Sequence, residues 1–237
     1  VEIQSSCREL HDQGYVIIPN LGSVEEASEI VQSFGDLIPQ YSGKVTHEIT
    51  YRPGNESRSY SQSTNTILAH TEAPGWPSSP EFIALYCHRQ ARCGGGHTDL
   101  LSADELLLHL DPTDTRLMKS VLDFPGPPDL PGLKAPMLEY DDQGRPRLRF
   151  SCNLLTHGEF DPDLGAATEE RALPLGAEGR RLAQRVSEIF EKHRTSVLIP
   201  DNALLIWDNR RLLHARSEYE DKGRHFTRFW FTDGSAE

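Results

Sequence analysis

The chain has 237 residues, 37% of them hydrophobic, and a formal charge of −12. That length allows one large β or α/β domain with a sizeable core, and we expect a single domain over residues 1–237. The composition is that of a globular protein; the acidic balance with scattered Lys and Arg disfavours nucleic acid as a partner, and no apolar run approaches the roughly 20 residues of a membrane span.

The N-terminal Val1-Glu2-Ile3-Gln4 has neither a basic region nor an apolar core, so a cytoplasmic protein is expected. Residues 15–19 form a short apolar run that predicts a strand. Ser23 and Glu26 then make a capping box, and Ala27, Ile30, Val31, Phe34 and Leu37 recur at helical spacing behind it. Residues 41–66 are polar and mixed, with a turn signal at Pro53-Gly54-Asn55 and little periodicity, which predicts a mobile loop region.

A strand is predicted through residues 67–71, a turn at 73–80 and a strand at 82–87, before the run Gly94-Gly95-Gly96. Ser102 and Glu105 form a second capping box, heading a helix with Leu106, Leu107 and Leu110, and Asp111-Pro112 opens another. Residues 125–136 are too proline-rich for either regular element and are predicted to connect β-like neighbours. Residues 147–152 alternate in a strand-like way, and 178–193 carry Leu182, Val186, Ile189 and Phe190 on one helical face. Strands are predicted at 203–208 and 224–231. Many short strands, with helices early and late, point to a β-sandwich or barrel decorated by helices.

Cys7, Cys87, Cys93 and Cys152 form no CxxC pair in a chain this long, so free thiols are expected. His88, His109, His157, His193 and His225 have no acidic or histidine partner at ligand spacing in the sequence and are read as surface or core residues.

The sharpest local pattern is His70-Thr71-Glu72. On a strand, side chains at i and i+2 share a face about 7 Å apart, so His70 and Glu72 point together and can grip one ion. Far along the chain, a strand is expected to deliver a loop with His214, and the next strand brings Arg224 and Arg228, ten and fourteen residues further on. Two imidazoles and one carboxylate make the facial triad of non-haem Fe(II) oxygenases, whose open positions suit a bidentate 2-oxo acid and dioxygen. The remote carboxylate of such a cosubstrate needs a fixed cation, for which a guanidinium is better shaped than an ammonium.

Together, His70-Thr71-Glu72, residues 93–99, residues 207–214 and residues 224–230 resemble the TauD/TfdA-like Fe(II)/2-oxoglutarate-dependent dioxygenases, in particular their clavaminate synthase-like, H-x-E branch. The resemblance implies a mainly β fold, a double-stranded β-helix or jelly-roll core flanked by α-helices. It implies that His70, Glu72 and His214 bind Fe(II), that Thr98 hydrogen-bonds 2-oxoglutarate and that Arg228 pairs with its distal carboxylate. Arg224 fits the basic position of an R-x-x-x-R pattern, meeting cosubstrate, substrate or an acid such as Glu218.

His97-Thr98-Asp99 is a competing H-x-D triplet, but if Thr98 faces the cosubstrate then strand parity turns His97 and Asp99 away. The expected reaction consumes O2 and 2-oxoglutarate, releases succinate and CO2, and hydroxylates a C–H bond of a free amino acid or small natural-product intermediate. Ser61, Ser63 and Asn65 are candidates for its mouth. The alternatives are a zinc hydrolase using the same three ligands, or a non-catalytic cupin-like binding protein. Nothing in the sequence dictates an oligomeric state.

Overall fold

The period-two and period-3.6 patterns of the chain become two facing antiparallel sheets with helices on both outer sides. The computed structural model describes residues 3–127 and 129–234. Val1 and Glu2 of the N-terminal tetrapeptide, Pro128 in the proline-rich connector and residues 235–237 of the expected domain lie outside the described residues. The elements run α1 (Ile3–Gln13), β1 (Tyr15–Ile18), α2 (Val24–Phe34), β2 (Asp36–Leu37), β3 (Thr46–Thr50), β4 (Ile67–His70), β5 (Phe82–Arg89) and β6 (Thr98–Ser102). They continue with α3 (Ala103–His109), α4 (Pro112–Met118), β7 (Val121–Phe124), β8 (Leu133–Pro136), β9 (Leu138–Tyr140), β10 (Pro146–Leu148) and α5 (Cys152–His157). A 3-10 turn at Glu170–Ala172 precedes α6 (Gly176–His193), β11 (Thr195–Val197), β12 (Leu204–Asp208), β13 (Leu212–Arg216) and β14 (His225–Thr232).

The larger sheet has the order β1-β12-β5-β14-β2, with β3 also paired to β14; the smaller is β11-β6-β13-β4. Three apolar layers hold these sheets in place. Between them lie Ile83, Leu85, Leu100, Leu205, Trp207, Phe226 and Trp230. Outside the larger sheet, Ala27, Ile30 and Val31 of α2 meet Ala84, Phe229 and Phe231. Outside the smaller one, Leu182, Val186, Ile189 and Phe190 of α6 close over Leu101 and Leu213. Burying each such large side chain contributes about 1.5–3 kcal/mol.

Both serine caps form, but only the first has a returning glutamate bond, since the Glu105 carboxylate turns to His109 and His193. Ser23 Oγ accepts from Glu26 N at 3.3 Å while Glu26 Oε2 accepts from Gly22 N at 2.6 Å, and Ser102 Oγ accepts from Glu105 N at 3.1 Å. Asp111 Oδ1 caps α4 through Thr113 N and Asp114 N.

Several elements depart from the expectations: Leu37, expected on the helix after Ser23, stands on β2, and β11 was not foreseen. α1 buries only Leu10, too sparse a stripe to mark an amphipathic helix. β3 lies inside the presumed loop and exists through its pairing to β14, Glu48 opposite Thr227. β8 emerges from the proline-rich connector by pairing with β7, and α5, capped by Ser151, begins where a strand was expected to end. The most consequential correction is β13: His214 stands on a fully buried strand between β6 and β4, and not on a loop. Covered on both faces, β13 has no polar alternation to reveal it. Among the described residues, no helix is long and apolar enough to cross a membrane.

Candidate active site

β4 ends at His70, where a bridge to Ser151 and the bond from Thr71 N to Phe150 O (2.8 Å) carry the extended chain one step further. Glu72 lies beyond the strand, so its placement rests on a clamp and not on ladder pairing. Glu72 N donates to Asn209 Oδ1 at 2.7 Å, and Asn209 Nδ2 donates back to Glu72 O at 3.1 Å and to Pro80 O at 2.9 Å. On the neighbouring strand, His214 pairs directly with His70.

The outcome is that three side chains converge. His70 Nε2 lies 3.9 Å and His214 Nε2 3.8 Å from the same Glu72 Oε2, and the two rings are 4.1 Å apart. His70 Nδ1 donates to Leu68 O at 2.8 Å. A carbonyl only accepts, so the proton of neutral His70 is on Nδ1 and its Nε2 presents a lone pair to a carboxylate oxygen. His214 Nδ1 is buried without a partner. Burial and the neighbouring His214 push the His70 imidazole down to about 3, which keeps that lone pair free at neutral pH. The His70 lone pair and a carboxylate oxygen facing one another are repulsive unless a cation stands between them. The donor set therefore suits a divalent ion, whose adjacent ligands sit about 3 Å apart, and small side-chain rotations close the remaining gap.

The other oxygen, Glu72 Oε1, is already engaged. It accepts from Arg228 Nη1 at 3.0 Å and from the Tyr41 hydroxyl at 3.2 Å. Burial alone would raise the Glu72 carboxyl, but Arg228, His214 and His70 more than offset it and hold it well below its ordinary value. Arg228 is itself fixed by Gln40, whose Oε1 accepts from its Nε at 2.8 Å, and it lies over Trp230. Tyr41, Trp76 and Trp230 meet edge to face and wall this side of the cavity.

Arg224 differs. It is 2% exposed, has no carboxylate partner among the described residues, and donates to Gly96 O at 3.3 Å beside the Tyr219 side chain, while its Nε is orphaned. Glu218 does not pair with it among the described ion pairs. Phe226 and Tyr219 stack against its guanidinium at 4.0 and 5.2 Å. The glycine run is what admits it: Gly96 has φ +76°, and a Cβ there would stand 2.9 Å from Arg224 Nε. Two residues on, Thr98 opens β6, buried, with no recorded partner for its hydroxyl among the described residues.

His97 and Asp99 turn away from this cavity. Asp99 accepts from Ser196 Oγ and pairs with Arg194, and the His97 ring lies against Ser217. Ser63 Oγ donates to Tyr60 O, and Asn65 Nδ2 to Glu56 O and Arg58 O, so these two side chains bond within their own segment, beside Ser61. The carbonyls of Ser61, Ser63 and Asn65 accept from the buried Arg216 guanidinium at 2.9, 2.8 and 2.5 Å, which ties the segment down. Gln40, Tyr41 and Asn209 went unnoticed in the sequence because each acts through a contact with a residue distant along the chain. His88, His109, His193 and His225 have acidic and histidine neighbours in space that their sequence spacing does not show, in two clusters, Glu48-His88-His225 and Glu105-His109-His193.

Similar architectures exist among solved structures. Asparagine oxygenase in complex with Fe(II), 2S,3S-3-hydroxyasparagine and succinate superposes with a TM-score of 0.75 at 18% identity, covering 98% of this chain and 78% of that one. The non-heme iron oxygenase OrfP in complex with Fe and alpha-ketoglutaric acid gives 0.68 at 17%, covering 98% and 80%. OrfP with Fe, succinate and (3S)-hydroxy-L-Arg gives 0.69 at 15%, covering 98% and 79%. The fold is thus the jelly-roll of these oxygenases. No curated relative matches the chain in sequence. The profile described as "Taurine catabolism dioxygenase TauD, TfdA family" matches residues 3–230, and the chain belongs to that dioxygenase family.

Proposed function

We propose that the chain is an Fe(II)- and 2-oxoglutarate-dependent oxygenase that hydroxylates a free amino acid or a closely related small molecule, acting as one catalytic domain. His70, Glu72 and His214 hold the iron. The observation that carries this is the pair of imidazole Nε2 atoms facing Glu72 Oε2 at 3.9 and 3.8 Å, with Oε1 held aside by Arg228. Iron, 2-oxoglutarate and O2, when bound, supply the oxidising chemistry and release succinate and CO2.

The residues of this chain bind and orient. Thr98, Arg224 and Arg228 serve the anionic cosubstrate and substrate, and Arg224 is favoured for the distal carboxylate because its buried charge has no counter-ion, whereas Arg228 already has Glu72. Arg228 then steadies the iron-binding carboxylate and offers its remaining donors to a substrate carboxylate. Asp161, whose carboxyl burial and the charge of Glu72 raise to about 6, offers the opposite charge for an ammonium. That pairing of charges supports an amino acid, as do the hydroxyasparagine and hydroxyarginine bound in the similar structures. A zinc hydrolase would have no use for a buried guanidinium held without a counter-ion. The four free cysteines favour a reducing compartment such as the cytoplasm.

The test is a screen of amino acids for substrate-stimulated succinate formation by the Fe(II)-loaded protein. Stimulation by a subset, lost in His214→Ala, is the expected outcome. Metal affinity like that of the wild type in His214→Ala would overturn the iron assignment.

A further inference from the structure

Glu105 and His109 are four residues apart on α3 and therefore share one face of it, and His193 ends α6 beside them. Glu105 Oε1 lies 2.9 Å from His109 Nε2 and 3.2 Å from His193 Nδ1, so two imidazole nitrogens from separate helices aim at a single carboxylate oxygen. The rings lie 3.8 Å apart, tilted by 22°. We propose that Glu105, His109 and His193 form a second divalent-cation site, for zinc or a similar ion with an affinity for imidazole, that fastens α3 to α6.

Three observations carry this. A tetrahedral ion with bonds of about 2.0–2.1 Å separates its ligands by about 3.3 Å, and two edges of that tetrahedron are already present. Both histidines lie in the last turn of their helices, where the carbonyl ends favour a cation. The side chains of Glu105, His109 and His193 are 40%, 37% and 22% exposed, so an ion reaches them without opening the core and a water completes the fourth position. On binding, the ion takes the lone pair of each neutral imidazole, so the ring proton sits on His109 Nδ1 and on His193 Nε2.

The Glu48-His88-His225 set is built differently. Thr227 Oγ1 donates to Glu48 Oε1 at 2.7 Å and accepts from His88 Nε2 at 2.7 Å, so a hydroxyl already stands between imidazole and carboxylate. It is a hydrogen-bonded chain, with no shared oxygen. In the Glu105 set nothing intervenes.

The second site is separable from the iron site by working in a His214→Ala background. The full chain, stripped with a chelator, is titrated with Zn2+ by calorimetry and with Co2+ by visible absorption, and its Tm is followed with and without Zn2+. The His214→Ala protein should bind one Zn2+, show the intense Co2+ bands of a four-coordinate site and gain Tm on adding zinc. Adding His109→Ala should weaken that zinc at least about tenfold and abolish the bands and the Tm gain. Glu105→Gln keeps an oxygen acceptor for both rings, so it preserves the fold contacts and should lose the metal. Equal zinc affinity with and without His109→Ala, or with and without Glu105→Gln, overturns the proposal. Because the comparison is made within one background, its outcome is independent of whether His214 binds iron.

Discussion

Replacing Arg224 with Met separates a ligand-binding arginine from a structural one. Burial depresses the pKa of Arg224, which means that the folded state disfavours its charge; at every pH below that pKa the guanidinium costs stability unless an anion answers it. Its present compensation is a bond to Gly96 O at 3.3 Å, the Tyr219 side chain, and the contact with the Phe226 ring, the last worth up to about 2 kcal/mol for a desolvated cation. Met fills similar length without the charge, so the unliganded fold should be unchanged or slightly more stable. The ligand should suffer instead. Losing a two-point, charge-assisted contact removes on the order of 3 kcal/mol, which is about a 100-fold rise in the Kd for 2-oxoglutarate. At a concentration 100 times the wild-type Kd, 2-oxoglutarate stabilises the wild type by about 2.7 kcal/mol and the variant by only about 0.4 kcal/mol. Anaerobic calorimetry with the Fe(II)-loaded proteins, together with thermal unfolding with and without 2-oxoglutarate, reads both effects. Wild-type affinity in Arg224→Met, with the loss appearing in Arg228→Met, would refute the reasoning and return the anchor to Arg228.

Asn209→Ala should leave the amide and carbonyl of buried Glu72 without their present partners, destabilising the fold by about 1–3 kcal/mol in urea unfolding and weakening iron binding about 10–100-fold as Glu72 loses its orientation. In thiol labelling of the native protein, Cys93 should react first. Amide donors from Glu220, Asp221 and Gly95 lower its pKa and it is exposed. Burial pushes Cys87 up to about 12 and Cys152 up to about 11, so both should stay unlabelled until denaturant is added; native labelling of Cys152 would contradict the packing of α5 on α6.

How far the sequence foretold this molecule can be judged from particular residues. Ser23 with Glu26, and Ser102 with Glu105, each specify a helix start within four residues, because capping is a bond between near neighbours. Leu182, Val186, Ile189 and Phe190 specify a buried face for the same reason: the helical repeat is local. His70-Thr71-Glu72 was conspicuous in the same way, and its two side chains do converge. β3 and β13 are different. Neither has a period that distinguishes it, since β3 is a strand only because β14 lies beside it, and β13 is covered on both faces. The same distance along the chain hid Gln40 and Tyr41 from Arg228 and Glu72. By itself, then, the sequence determined the elements with a local repeat or cap, and the residues in which a metal-binding oxygenase is recognisable. Only the tertiary structure decided that His214 stands opposite His70 on a buried strand, that Arg228 is spent on Glu72 while Arg224 is left without a counter-ion, and that His109 and His193 meet at one carboxylate. Those outcomes depend on which distant segments pack together, and a buried charge acquires its partner or its lack of one only when that packing has removed the water.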